Sequence, residues 1–585
     1  MPDDPKLTPS PTAGVAGHPP PAVPLPQALA PAKAAPKNPG MVTFTIDGTE
    51  VVCKPGTNLI EAANQVDIEI PFYCYHKRLS IAANCRMCLV RVSNSPKLVP
   101  GCQTLAAEGV AVLTQTAEVA DSHRSVQEFL LYNHPVDCAI CDQAGECKLQ
   151  DYYMQFDHKP ARPTQAKVLR HKRKELGPRV VLDQERCILC TRCVRFLREV
   201  PHESQLGVFG RGNREYIDVF PGVPLTSKYS LNTVDICPVG ALLSRDFRFK
   251  ARAFFLTATP SVCTGCSRGC NTYVDWYDRV SYRYRPRENE AVNQAWMCDD
   301  GRVTYHRQNE QRVLEAREAG AREPHSAAVK SAAAKLTPLV GTPGLAALIS
   351  PQLSNEDLLM ALLFAKEGLG LTTIYEGGLV DGDEDKLLIR ADKNPNRQGL
   401  SWIAKAYGLT VKPFADLVTR SDLRALYAAG AEVPAADDLA AVLSRCELSV
   451  VQATNETAAT AVATLLLPAA PHNEADGSFT NFQQRTQRFA QAYPPNGEAK
   501  PHWQLALDVW IAMGFTGRYH SARELFLDLG QRVPELAPFD WDDLGPGARQ
   551  QPGLWTAPAA ADARPAGYRE RVIELKVGGL QVTTS

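Results

Sequence analysis

The sequence predicts a multidomain chain, α+β in its first half and α/β in its second. Three observations carry that expectation. A strand–turn–strand–helix pattern opens at Met41, cysteines crowd the stretch that ends at Cys298, and beyond about residue 340 short apolar strands alternate with helices. The last pattern implies a largely parallel sheet, because successive parallel strands need helical crossovers. A chain of 585 residues is too long for one core and suggests roughly three to five domains.

Composition excludes several classes. Lys and Arg number 63 against 64 Asp and Glu, which argues against a nucleic-acid binder that relies on a strong positive field. No run of 18 apolar residues occurs, so no membrane-spanning helix is expected. No basic start followed by an apolar block suggests a secretory signal. Of 17 cysteines, all but Cys446 lie between Cys53 and Cys298. A large chain with cysteines at gaps of two and three residues reads as metal or cluster ligation, not as a disulfide framework.

In chain order, residues 1–40 hold twelve prolines and no Phe, Trp or Tyr, which predicts an extended, disordered arm. VTFTIDGTEVVC follows, two alternating stretches around Asp47–Gly48, a hairpin signal. TNLIEAANQV then reads as a helix with Thr57 as its N-cap. Hairpin, helix and cysteine-bearing loop is the order of a small ferredoxin-like domain. Residues 120–160 read as helical. The basic run RHKRKE at 170–175 reads as a solvated face or a partner contact. The Gly-rich GVFGRG at 207–212 has the wrong spacing for a dinucleotide fingerprint and reads as a turn. GLAALIS with SNEDLLMALLFAKEGLG, and later ELSVVQATNETAATAVATLLLP, read as strand–cap–helix units.

Four candidate ligand sets stand out. Cys74, Cys85, Cys88 and Cys102 are spaced C-x10-C-x2-C-x13-C, a widened form of the plant-type [2Fe–2S] pattern, with a four-cysteine zinc site as the alternative. In NHPVDCAICDQAGECKLQD, His134 precedes Cys138, Cys141 and Cys147; taken alone this stretch fits either a cubane or a zinc site of three cysteines and one histidine. Cys187, Cys190 and Cys193 are followed by the remote Cys237–Pro238, and this crowding suits a [4Fe–4S] cubane. Cys263, Cys266, Cys270 and Cys298 fit a cubane with one late ligand. Cys53 and Cys446 remain as buried or incidental thiols.

The order of these motifs resembles the large iron–sulfur subunit of respiratory complex I, the NADH-quinone oxidoreductase. The resemblance is carried over residues 41–300 by LLYNHPVDCAICDQAGECKLQD, CILCTRCVRF and DICPVGALLSRDFRFKAR. CTGCSRGC closing on WMCDDGR is similar to the cluster domain of molybdopterin oxidoreductases, and 473–503 is more weakly similar to a stretch near their cofactor. The resemblance implies six segments: the arm at 1–40, a β-grasp [2Fe–2S] domain at 41–118 and the His-containing cubane segment at 119–160. A ferredoxin-like cubane domain at 161–250, a cubane domain at 251–305 and a degenerate molybdopterin-oxidoreductase-like domain at 306–585 complete them.

It further implies one [2Fe–2S] cluster on the first set and three [4Fe–4S] clusters on the others, with His134 an iron ligand. Electrons derived from NADH would enter through a flavin subunit and leave through quinone-side cluster subunits. The chain would sit in the peripheral arm of a membrane complex, on the cytoplasmic side of the bacterial inner membrane. No catalytic residue and no molybdopterin are expected: the 287 residues after Cys298 are short for two pterin dinucleotides, no cysteine lies between Cys298 and Cys446, and Gly-rich phosphate loops are not evident. The rival readings are a formate dehydrogenase α chain, which should carry a downstream metal-binding cysteine, or the diaphorase part of an NAD-reducing hydrogenase, which should end near residue 250.

Overall fold

The computed structural model describes residues 40–544, apart from 158–161, 163, 518 and 543. The arm expected over 1–40 lies outside them except for Gly40, as does the end of the chain. Two compact units emerge among the described residues, one formed by 40–70 with 88–122, the other by 71–87 with 123–544.

The first unit is a five-stranded mixed sheet in the order Thr49–Cys53, Val42–Ile46, Ala111–Leu113, Leu89–Val92, Val99–Pro100. The expected hairpin forms, with Ile46 opposite Thr49. Its two turn residues, Asp47 and Gly48, have φ of 48° and 86°, as a tight hairpin turn of this twist requires. Helix Leu59–Asn64 buries Leu59, Ile60, Ala62 and Ala63, alongside buried Phe44, Ile46 and Val51. Its N-cap is Asn58, whose side chain accepts from the Glu61 amide at 3.0 Å. The expectation of Thr57 is off by one, because the Thr57 hydroxyl is spent on the Lys54 carbonyl at 2.8 Å. Cys53 lies in this core, and burial pushes its thiol pKa up.

The second unit begins with helical structure. Helix Ala117–Asn133 runs into it, and Lys148–Phe156 follows. A three-stranded sheet orders Leu242–Ser244, Val180–Leu182 and Lys174–Glu175, beside helix Arg192–Glu199. GVFGRG is the end of strand Leu206–Phe209 and its hairpin turn, with Gly210 and Gly212 at φ of 76° and 58°. The basic run is only partly a solvated face. Arg170 donates to the Glu215 and Asn213 carbonyls, Lys172 pairs with Asp137 and Glu185, and Lys174 pairs with Asp218. Antiparallel strands Thr257–Val262, Asn271–Tyr277 and Val280–Pro286 form the next layer.

The α/β expectation is met by an eight-stranded sheet. Its six parallel strands lie in the order Thr410–Pro413, Thr373–Glu376, Leu345–Ile349, Ala425–Ala429, Leu448–Ala453, Leu465–Pro468. The chain starts in the middle and winds outward both ways, so both faces are covered. LAALI, ALYAA and LSVVQA are accordingly buried at every position, as a two-sided parallel sheet demands. Alternation divides the faces: Leu345, Ala347, Ile349 and Tyr427 join one core, Ala346, Leu348, Leu426 and Ala428 the other. Each fully buried leucine contributes about 1.5–3 kcal/mol. Helix Asn355–Leu363 starts at a capping box of Ser354 and Asp357. Among the described residues no helix is long and apolar enough to cross a membrane.

Candidate metal centres

The third set is the most complete in side-chain terms. Cys187, Cys190, Cys193 and Cys237 line a single hollow with Leu182, Ile217 and Val239. Left-handed backbone at Leu189 and Thr191, with φ of 54° and 60°, winds the C-x2-C-x2-C loop into the start of helix Arg192–Glu199. Cys237 arrives just after the short helix Asn232–Asp235. Burial pushes the thiols up, Cys187 to about 12 and Cys190 to about 11. Without a metal they stay protonated, so metal uptake must release their protons.

In the fourth set Cys263, Cys266, Cys270 and Cys298 are all buried. The Cys263 amide donates to the Cys270 carbonyl at 2.8 Å. Amides also reach sulfur, Gly265 to Cys263 and Gly301 to Cys298, each at 3.4 Å; such bonds are one means of tuning a cluster. A Cβ on Gly301 would come 3.0 Å from the Cys263 sulfur and 3.2 Å from that of Cys298, so only glycine leaves this space free. The loop is clamped from far along the chain. Gln487 donates to the Gly269 carbonyl and Asn481 to that of Arg268, at 2.9 and 3.1 Å, while the Phe482 amide reaches Ser267 at 3.0 Å.

The second set hangs from the end of helix Ala117–Asn133. Lys167 donates to the Leu131, Tyr132 and His134 carbonyls at 2.8, 3.0 and 2.8 Å, which satisfies the helix end and fixes where His134 emerges. The His134 Nδ1 is buried with no hydrogen-bond partner. Burial, with Arg186 and Lys167 nearby, holds its pKa down to about 4, so at neutral pH it is the uncharged imidazole that metals bind. Cys141 and Cys147 are buried and Cys138 is exposed. A Cβ on Gly240 would lie 2.2 Å from the Cys141 sulfur, and the Cys147 sulfur lies 4.0 Å from the Pro238 carbonyl. One segment, Cys237–Gly240, therefore touches both the second and third sets. Gly240→Ala should drive iron out of the second set and spare the fourth; a variant with its full iron content would contradict this.

The first set is divided between the units. Cys74 and Cys85 belong to the second, where the Cys74 amide donates to the Cys85 sulfur at 3.4 Å. Cys88 and Cys102 belong to the first, and both are buried. Among the described residues no three His, Cys, Asp or Glu side chains converge closely enough for a single ion. Sequence reading passed over Gly240 and the two arginines within CTRCVRF, although their place beside the ligands in the chain was the available signal. Cys446 is half-buried, with its thiol donating to Val442 at 3.3 Å.

Comparison with known proteins agrees with this layout. Family models match residues 40–117 as a 2Fe-2S iron-sulfur cluster binding domain and 123–162 as the NADH-ubiquinone oxidoreductase-G iron-sulfur binding region. Residues 177–243 match the ferredoxin-like domain of NADH-quinone oxidoreductase subunit 3, and 326–509 match molybdopterin oxidoreductase. The chain is 42% identical over 277 residues to the NADH-ubiquinone oxidoreductase 75 kDa subunit of Reclinomonas americana, covering 47% of this chain and 39% of that protein. It is 43% identical over 275 residues to the mitochondrial NADH dehydrogenase (ubiquinone) iron-sulfur protein 1 of Solanum tuberosum, covering 47% and 37%. The match thus spans about two-fifths of these relatives' length. Fold and motifs together define an iron–sulfur protein joined to a molybdopterin-oxidoreductase-type α/β domain. Over about half its length the chain is similar to the large iron–sulfur subunit of NADH-quinone oxidoreductase, complex I.

Proposed function

We propose that the chain is an electron-transfer subunit of an NADH-quinone oxidoreductase, relaying electrons from an NADH-reduced flavin subunit toward quinone. Its cofactors are one [2Fe–2S] cluster on Cys74, Cys85, Cys88 and Cys102, and three [4Fe–4S] clusters. The cubanes use His134, Cys138, Cys141 and Cys147; Cys187, Cys190, Cys193 and Cys237; and Cys263, Cys266, Cys270 and Cys298. The chain has no substrate site of its own, and its domains follow the boundaries given above.

The observation that carries this reading is the Cys237–Gly240 segment, which supplies a thiol to the third set and packs against two sulfurs of the second. Thiolate-held clusters pass one electron at a time, and the protein's part is to fix their spacing and potential. Adjacent sets sharing one loop suit a relay. The orphaned His134 nitrogen fits the donor a cubane needs. An iron cluster there supplies one-electron redox chemistry; the chain's own residues hold it, limit water access and set its charge.

The chain's partners are other peripheral-arm subunits, on the cytoplasmic face of the inner membrane. Support comes from exposed Ile140, Phe249, Phe254 and Phe255, which lie near the second set. Arg252 ties this region together by donating to the Cys141 carbonyl at 2.9 Å, and the Phe249 amide donates to Asp142 at 3.0 Å. Apolar surface of this kind marks a docking site. The α/β domain holds no pterin in this reading, supported by several polar side chains of the 473–503 stretch that bond the protein, while the Arg485 Nε and Nη1 and the Arg488 Nε are buried without a hydrogen-bond partner. Gln487 bonds Gly269 and Asn271, Asn481 bonds Arg268, and Glu356 bonds Ser478.

Metal analysis with low-temperature EPR tests the assignment. The reduced chain should carry about 14 iron atoms, two in the [2Fe–2S] cluster and four in each cubane. Iron near ten would remove one cubane, and a chain holding mostly zinc would end the reading.

A further inference from the structure

Arg192 stands between two ligands of the third set, Cys190 and Cys193, and lines the hollow with all four cysteines. It is 6% exposed. Its guanidinium donates to the Ile236 carbonyl at 3.1 Å and to the Tyr75 carbonyl, both neutral acceptors. Its Nε is buried with no partner. Arg195, one turn on and also buried, donates to the Cys74 carbonyl at 2.5 Å and the Cys190 carbonyl at 3.2 Å.

Among the described residues no carboxylate pairs with either arginine. Buried Arg186 and Arg302 are by contrast compensated, by Asp137 with Asp183 and by Asp235, and half-buried Arg283 is compensated by Asp275 and Glu146. A buried charge without a counter-ion is expensive, and two like charges side by side more so. The fold sets both on one helix, Arg192 lining the hollow and Arg195 bonding the Cys190 carbonyl, so the missing negative charge comes from what fills the hollow. A cubane on four thiolates is a net anion, and reduction adds one further negative charge.

We propose that Arg192 is the fixed counter-charge of the cluster held by Cys187, Cys190, Cys193 and Cys237, stabilising its reduced form. The inference rests on the reading that those cysteines hold a [4Fe–4S] cluster. Arg195, which bonds the backbone of both Cys74 and Cys190, extends the same positive field toward the Cys74 loop. Electrons arriving at the third set are thus held by a permanent charge, not by a proton that would have to move with them.

The test compares the full chain with Arg192→Gln and Arg192→Lys by iron content, EPR and potentiometric titration. Arg192→Gln should keep the cluster's iron and signal while its reduction moves to lower potential, with the second and fourth clusters shifted less. Arg192→Lys should stay near the native potential. Loss of the cluster from the Gln variant alone, with the Lys variant native, also supports the proposal. A native potential in Arg192→Gln, an equally lowered one in Arg192→Lys, or loss of the cluster from both would overturn it. Failure of the parent reading looks different: the unaltered chain would then lack this cluster's iron.

Discussion

Replacing His134 with alanine should remove one cubane signal from the low-temperature EPR spectrum of the reduced chain and leave the other clusters in place. The helix end at Asn133 is fixed by Lys167 whether or not the imidazole is present, so the fold has little reason to change. What disappears is a neutral nitrogen donor with a buried, unpartnered Nδ1. The side chain's low pKa, about 4, means that no proton competes with iron above that range. An unchanged spectrum would make His134 a bystander. His134→Cys sharpens the test, because four thiolates make the cluster one unit more negative. That variant should keep the cubane and move its reduction to lower potential, in line with the rise that histidine ligation brings to Rieske centres.

Asp275→Asn should destabilise the second unit by about 3–5 kcal/mol, the usual cost of removing one partner from a buried ion pair. Asp275 is 1% exposed in the central strand Asn271–Tyr277. Its carboxylate accepts from Arg283 at 2.7 Å and from Arg285 at 2.6 and 2.9 Å. Arg283 continues to Glu146, beside Cys147, at 2.9 and 2.7 Å. Burial works to raise the Asp275 pKa, but Arg285 and Arg283 outweigh it and hold the group below the ordinary carboxylate range. Its contribution is therefore complete above the unfolded carboxylate pKa and is lost as pH falls through the lower folded value. Denaturant unfolding of the Asn variant should show the loss near neutral pH and a weaker acid limb. A difference below about 1 kcal/mol, the scale of an exposed pair, would refute the role given to this network.

Much of the fold was legible in the sequence because its signals are local. Asp47–Gly48 demanded a tight turn, and a tight turn formed. An apolar run such as LAALI had no polar face to give water, so a strand buried on both sides was the available outcome. The N-cap slipped from Thr57 to Asn58 because two adjacent polar residues could both cap, and the Lys54 carbonyl drew the threonine away. The basic run at 170–175 stays mostly exposed, as its charges suggest, and what the sequence could not show is that Lys172 and Lys174 also meet Asp137, Glu185 and Asp218 from elsewhere in the chain.

The candidate sites divide along the same line. Thiolate ligation is written in residue type and close spacing, so the proposed grouping of the cysteines, and of His134 with three of them, is read from the sequence. Tertiary structure decided what surrounds those groups. Only folding brings Gly240 against Cys141, Gln487 onto the fourth loop, and Arg192 to the carbonyl of Tyr75, 117 residues away. Each set has at least two ligands only a few residues apart along the chain. The charge and contacts of the space it encloses depend on buried partners, and distant segments supply those only once they pack.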